Sequence, residues 1–264
     1  MKLNFFKYQG TGNDFIMVDN RTSVLSKNDT NLIRFLCDRR FGIGADGLIL
    51  LENSPKEGED FKMVYFNADG NESSMCGNGG RCLVAFAKHL GIISKEAAFG
   101  AIDGFHKAVI EDDLVGLKMT EVKNVSEVGN DYFLDTGSPH HVIFSDEVKN
   151  IDVQTEGSAI RNSPEYLAKG GTNVNFVSSL DTASFNVRTY ERGVEAETLS
   201  CGTGVTASAI AAYHSGRTSS TTVKLLTPGG DLTVSFKPTS EGFEEIWLTG
   251  PAKQVFKGVV ECNL

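Results

Sequence analysis

The sequence predicts an α+β protein of two similar domains, each with a β-sheet wrapped around one buried helix. Three observations support this fold class. A sixteen-residue segment that begins at Cys76 returns at Cys201, 125 positions later, with six identical residues. A short helical segment follows each Cys-Gly-x-Gly start, and most of the remaining chain alternates between apolar and polar residues, as strands do.

The repeat divides the 264-residue chain into two domains. Two half-length copies indicate a duplicated domain, because solenoids stack three or more units. The strand-like segment Phe61–Asn67 upstream of the first copy has its counterpart in Phe185–Glu191 upstream of the second. We therefore expect a first domain over residues 1–120, to which residues 252–264 return, and a second domain over residues 121–251.

Helix ends are marked by specific residue types. The segments after the two Cys-Gly-x-Gly starts are apolar or small almost all round, which predicts buried helices. Each is followed by a glycine, Gly91 or Gly216, placed for a left-handed C-terminal cap. A third helix is expected to begin at Asp29 or Thr30. The predicted helices are Leu83–Leu90, Val205–His214 and Thr30–Arg40.

Strands are predicted wherever short segments alternate between bounding turns. With Phe61–Asn67 and Phe185–Glu191, the set comprises Phe15–Asp19, Leu48–Leu51, His106–Glu111, Gly116–Met119, His141–Phe144, Asn173–Val177, Thr222–Leu226, Leu232–Phe236, Glu245–Leu248 and Ala252–Val260.

Charge and composition exclude several classes of function. The formal net charge of −9 removes the electrostatic basis for binding a phosphate backbone, so we expect no nucleic-acid partner. No apolar segment approaches the roughly 18–20 residues of a membrane span, and no signal-peptide core is visible. We expect a cytoplasmic protein that acts on a small molecule.

The residues required for common cofactors and metals do not occur at the right spacing. The five cysteines form no Cys-x-x-Cys pair, and their odd number argues against a disulfide framework. The glycine pattern of residues 42–47 lies after a predicted helix and before a strand, the reverse of the order that dinucleotide binding requires. No Gly-Lys-Ser/Thr phosphate loop is present. We therefore expect neither a cofactor nor a metal.

The two Cys-Gly-x-Gly helix starts indicate a specific chemistry. A cysteine at a helix N-terminus faces free backbone N–H groups and the positive end of the dipole, and both favour the thiolate. The same N–H groups can bind a carboxylate, which the glycines allow to come close. Two such starts in a duplicated fold predict a two-sided site, where Cys76 and Cys201 remove a proton from one face of a carbon and return one to the other.

These motifs resemble those of the diaminopimelate epimerase family over essentially the whole chain. The resemblance rests on residues 10–15 (GTGNDF), 66–70 (FNADG), 76–81 (CGNGGR), 138–140 (SPH), 190–193 (YERG) and 201–204 (CGTG). It implies two domains, each a mixed β-sheet barrel curled around a central helix, and a homodimer. It also implies a cofactor-free isomerase that interconverts LL- and meso-diaminopimelate in lysine and peptidoglycan-precursor biosynthesis.

The resemblance also assigns the site residues. It implies that Cys76 and Cys201 are the two bases and that Glu191 and His140 lie near the reacting amino group and tune the thiols. The residues implied to bind the reacting carboxylate through backbone N–H groups are Gly77, Asn78, Gly202 and Thr203. The residues implied to bind the distal end of the substrate are Asn13, Asn67, Asn173 and Arg192.

Three positions depart from the family pattern, and other functions stay open. Position 47 is Gly where Gln is frequent, Ser138 replaces an Asn, and one extra residue precedes Cys201. The alternatives are a related proline racemase-like enzyme, a hydrolase or transferase with a cysteine nucleophile and His140 as base, and a non-catalytic amino-acid binding protein. A hydrolase needs only one of the two cysteines.

Overall fold

The computed structural model describes residues 2–262. Within them the chain forms two compact units. The first unit runs to Leu117 and takes in the chain again from Pro251, and the second unit is Lys118–Gly250. No helix among residues 2–262 is long and apolar enough to cross a membrane.

The first unit contains nine strands and two helices among the described residues. They are β1 (Lys2–Gly10), β2 (Asn13–Asp19), α1 (Thr30–Cys37), β3 (Gly47–Glu52), β4 (Phe61–Asn67), β5 (Glu72–Ser73), α2 (Gly77–His89), β6 (Glu96–Ala101), β7 (Gly104–Glu111), β8 (Leu114–Lys118) and β18 (Lys253–Glu261).

The second unit follows the same plan, with two helices between its third and fourth strands, where the first unit has only α1. Its elements are β9 (Val125–Val128), β10 (Asp131–Asp135), β11 (Pro139–Phe144), α3 (Val153–Arg161), α4 (Pro164–Leu167), β12 (Asn173–Ser179), β13 (Ser184–Glu191), β14 (Ala196–Thr198), α5 (Gly202–His214), β15 (Thr222–Thr227), β16 (Gly230–Thr239) and β17 (Gly242–Pro251).

The two units have the same sheet topology. The strand order is β18-β1-β2-β3-β4-β6-β7-β8 in the first unit and β9-β10-β11-β12-β13-β15-β16-β17 in the second. In both, the third strand lies parallel to the fourth and the fifth parallel to the sixth, and all other pairs are antiparallel. The duplication expected from the cysteine motifs therefore extends to the whole sheet.

A central helix lies inside each sheet. Helix α2 packs on β1, β2, β3, β7 and β18, and helix α5 packs on β10–β13, β15 and β16. Helix α5 is buried along most of its length, and its side chains join a core with Phe185, Val234 and Leu248. This arrangement confirms the predicted fold class, a mixed sheet curled around a central helix in each half.

The helix ends follow from local chemistry. Gly91 and Gly216 have φ of 73° and 71°, the left-handed conformation expected of C-terminal caps. Asp29 caps α1 by accepting a hydrogen bond from the Leu32 N–H at 3.0 Å. The prediction that this helix reaches Arg40 is wrong, because the Asp38 carboxylate accepts hydrogen bonds from the Arg40 and Phe41 N–H groups and the chain turns away.

Candidate active site

Cys76 and Cys201 occupy the same position in the two units, immediately before the central helices. Both have extended backbone conformations, with φ/ψ of −93°/131° and −115°/112°, and each precedes a 13-residue helix. The first helical hydrogen bonds run from the Gly80 N–H to the Cys76 carbonyl and from the Val205 N–H to the Cys201 carbonyl. The N–H groups before those donors have no partner within the helix, so each start can bind an anion.

A buried polar cluster supports the first helix start. The Asn78 side chain is buried, and its Oδ1 accepts hydrogen bonds from Arg81 Nη2 at 2.8 Å and from Thr11 Oγ1 at 3.2 Å. Its Nδ2 donates to Asn13 Oδ1. The Asn78 side chain is therefore held inside the unit by Thr11, Asn13 and Arg81.

The side chain of Asn13 is hydrogen-bonded to a cluster of charged residues. Its amide donates to Asp46 Oδ2 at 3.0 Å, and Arg39 bridges Asp46 and Asp14. Burial would raise the pKa of Asp14, but hydrogen bonds from Arg39 and from the buried Lys7 outweigh it and lower that pKa overall. The side chain of Asn13 is therefore oriented by a network of fixed charges.

Asn67 and Gly47 are cross-strand partners at one end of the first sheet. The Asn67 side chain is exposed, and its backbone closes a turn with Gly70 and Asn71. A Cβ added at Gly47 would lie 2.6 Å from Cε2 of the Tyr65 ring and 2.5 Å from the Phe66 carbonyl oxygen. The glycine at position 47 is thus required by the Phe66 carbonyl and the Tyr65 ring, which together fill the space where a side chain would lie.

Polar contacts also surround the second helix start. Cys201 is buried, and its Sγ lies 3.4 Å from Thr203 Oγ1. The Thr203 carbonyl accepts a hydrogen bond from Thr136 Oγ1 at 3.0 Å, which holds the first turn of α5 against the loop before β11. Gly202 is buried, whereas Thr203 is half-buried.

His140 lies in the sheet behind this helix and is fully buried. Burial, and secondly the charge of Arg192, lowers the pKa of His140 to about 3, so the ring is neutral at pH 7. Asn175 Nδ2 donates to His140 Nδ1 at 3.0 Å, which places the ring proton on Nε2. That Nε2 has no hydrogen-bond partner among the described residues.

Asn173, Ser138 and Arg192 form a second cluster in the same unit. Asn173 Nδ2 donates to Ser138 Oγ at 2.9 Å, and Asn173 Oδ1 accepts from the Arg192 N–H at 2.9 Å. The Arg192 guanidinium reaches Ser138 Oγ at 3.5 Å. Ser138, although shorter than the expected Asn, is therefore part of the hydrogen-bonded cluster.

Glu191 precedes Arg192 at the end of β13. Burial raises the pKa of Glu191, and a hydrogen bond from Thr198 Oγ1 to Glu191 Oε2 at 3.0 Å acts in the opposite direction. A carboxyl group in this position is suited to form an ion pair with a cation close by.

Strand register relates residues of the two units position by position. In the first unit, Gly47 pairs with Phe15 of the parallel strand β2 and with Asn67 of the antiparallel strand β4. In the second unit, Asn173 pairs with His140 of the parallel strand β11. The register that pairs Val174 with Tyr190 puts Asn173 opposite Glu191 of the antiparallel strand β13. The residues predicted to bind substrate therefore occupy corresponding ends of corresponding strands.

Sequence reasoning missed two residues behind the helix starts, Asn175 and Arg81. Asn175 links His140 to Thr189, whose Oγ1 donates to Asn175 Oδ1 at 3.0 Å. Its position two residues after Asn173, hence on the same face of β12, was the available clue. Arg81 is fully buried and binds Asn78. A charge among the small and apolar residues of the first turns of α2 was the clue there.

Each helix start combines a cysteine, N–H groups that have no partner within the helix and an oriented polar surround, which suits proton transfer at a carbon next to a bound carboxylate. Among the described residues, no group of three or more His, Cys, Asp or Glu side chains is arranged to hold a metal.

The chain is similar to known proteins over nearly its whole length. A family model described as diaminopimelate epimerase matches residues 5–123 and 132–255. A diaminopimelate epimerase of Flavobacterium psychrophilum is 55% identical over 98% of this chain and 100% of its own length. One from a Hydrogenobaculum species is 42% identical over 98% of both chains.

Solved structures resemble the fold at lower identity. A PhzF-family phenazine biosynthesis protein of Bacillus anthracis has a TM-score of 0.79 at 12% identity and covers 99% of this chain and 100% of its own. A hydroxyproline epimerase of Agrobacterium vitis has a TM-score of 0.65 at 14% identity over 98% of this chain and 92% of its own. At these identities the likeness concerns the fold alone.

Proposed function

The chain belongs to the diaminopimelate epimerase family, and we propose that it inverts its substrate with Cys76 and Cys201 as the two bases. It is an isomerase that interconverts LL- and meso-2,6-diaminopimelate. The observation that carries the two-base proposal is the equivalent placement of the two cysteines, each at the start of a central helix in one of two units with the same topology.

In the proposed reaction, one cysteine is a thiolate and the other a thiol. The thiolate takes the α-proton, and the electron pair of the broken C–H bond passes into the adjacent carboxylate. The thiol then returns a proton to the opposite face of the α-carbon. The products are the inverted amino acid and a cysteine pair in which thiol and thiolate have exchanged, so no other reactant or cofactor is needed.

Substrate binding uses both ends of the molecule. The backbone N–H groups of Gly77 and Asn78 and of Gly202 and Thr203 bind the reacting carboxylate. Arg192 binds the distal carboxylate, because a guanidinium pairs with a carboxylate through two parallel hydrogen bonds. Asn13, Asn67 and Asn173 complete the distal site.

His140 and Glu191 act near the reacting amino group. The neutral His140 offers its unpartnered Nε2–H as a donor to a thiolate or carboxylate, and Glu191 balances the substrate ammonium. Both contributions are electrostatic, so neither side chain takes the α-proton itself.

We also propose that the protein acts in the cytoplasm, in lysine biosynthesis, and that it is a homodimer. Val255, Phe256 and Val259 expose 57%, 46% and 60% of their surface along β18, so this strand offers an apolar surface to a second copy. Sedimentation should show a dimer in the wild type and a weaker dimer for Phe256→Asp.

Deuterium incorporation tests the mechanism. In deuterated water without added cofactor, the product should gain deuterium at the α-carbon while unreacted substrate stays protonated early in the reaction, because each thiol exchanges with solvent. Early label in the substrate equal to that in the product contradicts two bases. Bond cleavage points to a hydrolase, and no change points to a binding protein.

Two variants and one matched control complete the test. Cys76→Ser and Cys201→Ser should each abolish epimerisation. Cys37→Ala is the control, because Cys37 is buried in the core of the first unit and burial raises the pKa of its thiol to about 12. Full activity in either serine variant contradicts the proposal.

A further inference from the structure

His140 is a buried histidine whose two ring nitrogens lie in different surroundings. Its side chain is fully buried, and burial lowers the pKa of His140 to about 3, so the ring is neutral at pH 7 and carries a single proton. Nδ1 lies 3.0 Å from Asn175 Nδ2, whereas Nε2 has no hydrogen-bond partner among the described residues. The position of the single proton therefore decides whether Nε2 can donate a hydrogen bond or only accept one.

The backbone carbonyl of His141 fixes the orientation of the Asn175 amide. Asn175 Nδ2 lies 3.2 Å from the His141 carbonyl oxygen, which can only accept a hydrogen bond. If the amide were flipped, its own oxygen would face that carbonyl oxygen, and two buried acceptors would meet without a proton between them. On the other side, Thr189 Oγ1 donates to Asn175 Oδ1 at 3.0 Å. The amide nitrogen therefore donates to His140 Nδ1, which leaves the ring proton on Nε2.

Strand register brings these three side chains together. Asn175 pairs with Val142, two residues beyond His140, across the parallel strands β11 and β12. Thr189 pairs with Asn175 across the antiparallel strands β12 and β13. Because residues two apart on a strand point to the same face, His140, Asn175 and Thr189 form a buried polar row across three neighbouring strands.

The first unit has mostly apolar side chains at the corresponding positions. Its counterparts in β2, β3 and β4, read from the strand register, are Phe15, Ile49 and Tyr65. The duplicated sheet therefore does not require a polar row at this place. Burying polar groups costs free energy unless each one is paired, so a polar row in one unit alone indicates a functional requirement.

We propose that Asn175 is a positioning residue of the reaction, which holds the proton of His140 on Nε2. The inference rests on the proposed function, in which that Nε2–H is offered to a thiolate or carboxylate, and it identifies what keeps the proton there. Asn175 acts only through the ring. Its amide is held in turn by the His141 carbonyl and the Thr189 hydroxyl.

NMR of the histidine rings tests the assignment in the wild type. With ¹⁵N-labelled histidine, long-range ¹H–¹⁵N correlation spectra show which ring nitrogen carries the proton. The His140→Gln variant identifies the signals of His140 by their loss. At pH 7 the proton should lie on Nε2, with Nδ1 unprotonated. A proton on Nδ1 alone, or on both nitrogens, overturns the proposal.

Asn175→Asp tests the cause. An ionised carboxylate only accepts hydrogen bonds, so it should draw the ring proton to Nδ1. The spectra are compared at a pH where the ¹³C signal shows the new carboxylate to be ionised, and an Nδ1 that still lacks a proton there overturns the proposal. Asn186→Asp is the matched control, because Asn186 donates to Ser178 Oγ at 3.2 Å on the opposite face of β13 from Thr189. The control should leave the His140 signals in place.

Turnover separates a positioning role from a structural one. Asn175→Leu keeps the branching of the side chain and removes its hydrogen bonds. It should lower kcat by about 10- to 100-fold, as the loss of a group that orients a metal-ligating histidine does. In His140→Gln the same change should lower kcat by less than about twofold, because the amide then has no ring to orient. An equal loss in both backgrounds overturns the positioning role.

The outcomes separate this inference from the proposed function. If Asn175→Asp does not fold, as circular dichroism would show, the wild-type spectra and Asn175→Leu still decide the matter. A ring proton that moves in Asn175→Asp without any fall in kcat overturns the positioning role, while the two-base function stands. Full activity in Cys76→Ser would instead overturn the two-base function itself.

Discussion

Replacing Gly204 by alanine should disturb the polar side chains behind Cys201. The added Cβ would lie 2.4 Å from Asn175 Oδ1 and 3.3 Å from Thr189 Oγ1. The first distance is too short for a carbon and an oxygen, so the Asn175 amide has to move. Its hydrogen bonds with Thr189 and His140, both 3.0 Å long and buried, are then lost or strained.

The size of the effect follows from those two bonds. Leaving a buried polar group unsatisfied costs about 1–3 kcal/mol, so two broken bonds cost roughly 2–6 kcal/mol. Alanine in place of glycine within a helix returns about 1 kcal/mol. The net loss of roughly 1–5 kcal/mol should lower Tm by several degrees, at about 2–4 °C per kcal/mol for a domain of 150–250 residues. Turnover should fall as well, because His140 loses the contact that orients its ring.

Gly79→Ala is the matched control, since Gly79 holds the same position in α2. Its added Cβ would meet the ends of two apolar side chains, Ile49 Cδ1 at 3.0 Å and Phe15 Cε1 at 3.4 Å, which can give way without losing a hydrogen bond. Thermal unfolding followed by circular dichroism compares the two variants. A Tm for Gly204→Ala that equals or exceeds that of Gly79→Ala would refute the reasoning.

Three further predictions concern charge and redox chemistry. Arg192→Ala should lower kcat/KM for diaminopimelate by roughly 30- to 5,000-fold, the equivalent of a lost charge pair worth about 2–5 kcal/mol. Arg161→Ala, a cation of the same unit bound to Glu195, serves as control, and equal wild-type turnover of alanine would contradict distal recognition. Mild oxidation should inactivate the enzyme reversibly through a Cys76–Cys201 crosslink, seen by peptide mapping without reduction; inactivation with both thiols intact would contradict it. Because folding lowers the pKa of Asp14, its carboxylate stabilises the fold above a pH of about 4 and this contribution is lost as the pH falls through the lowered pKa. Asp14→Asn should therefore unfold at a lower denaturant concentration than the wild type at pH 7, and this difference should be smaller at pH 3. A difference that is equal at both pH values would contradict the assignment.

Local chemistry made much of the fold predictable. The helices α2 and α5 could be located because a Cys-Gly-x-Gly start and a terminal glycine bound an apolar segment, and these features act within a few residues. Every predicted strand overlaps an observed one for the same reason. Helix α3 was not predicted, because Gly157 lies in its interior and weakens the helical pattern. The structure shows why a glycine is there, since a Cβ would lie 2.4 Å from that of Tyr190.

Contacts between distant segments were not predictable from patterns of this kind. The sequence places Asn78 next to Cys76, but the partners of its side chain, Thr11 and Asn13, are about 65 residues away. The requirement for glycine at position 47 likewise depends on the Phe66 carbonyl and the Tyr65 ring of the neighbouring strand β4. Such contacts depend on strand register, which sequence alternation leaves open at the level of single side chains.

Duplication explains the likeness of the two halves, and divergence after it explains their differences. The backbone plan and the two cysteines are shared, whereas the side chains behind them have diverged. Ile49 and Phe15 lie against Gly79, while the polar Asn175 and Thr189 lie against Gly204. These differences lie behind the helices, so they leave the strand order of each sheet and the position of each cysteine before its central helix unchanged.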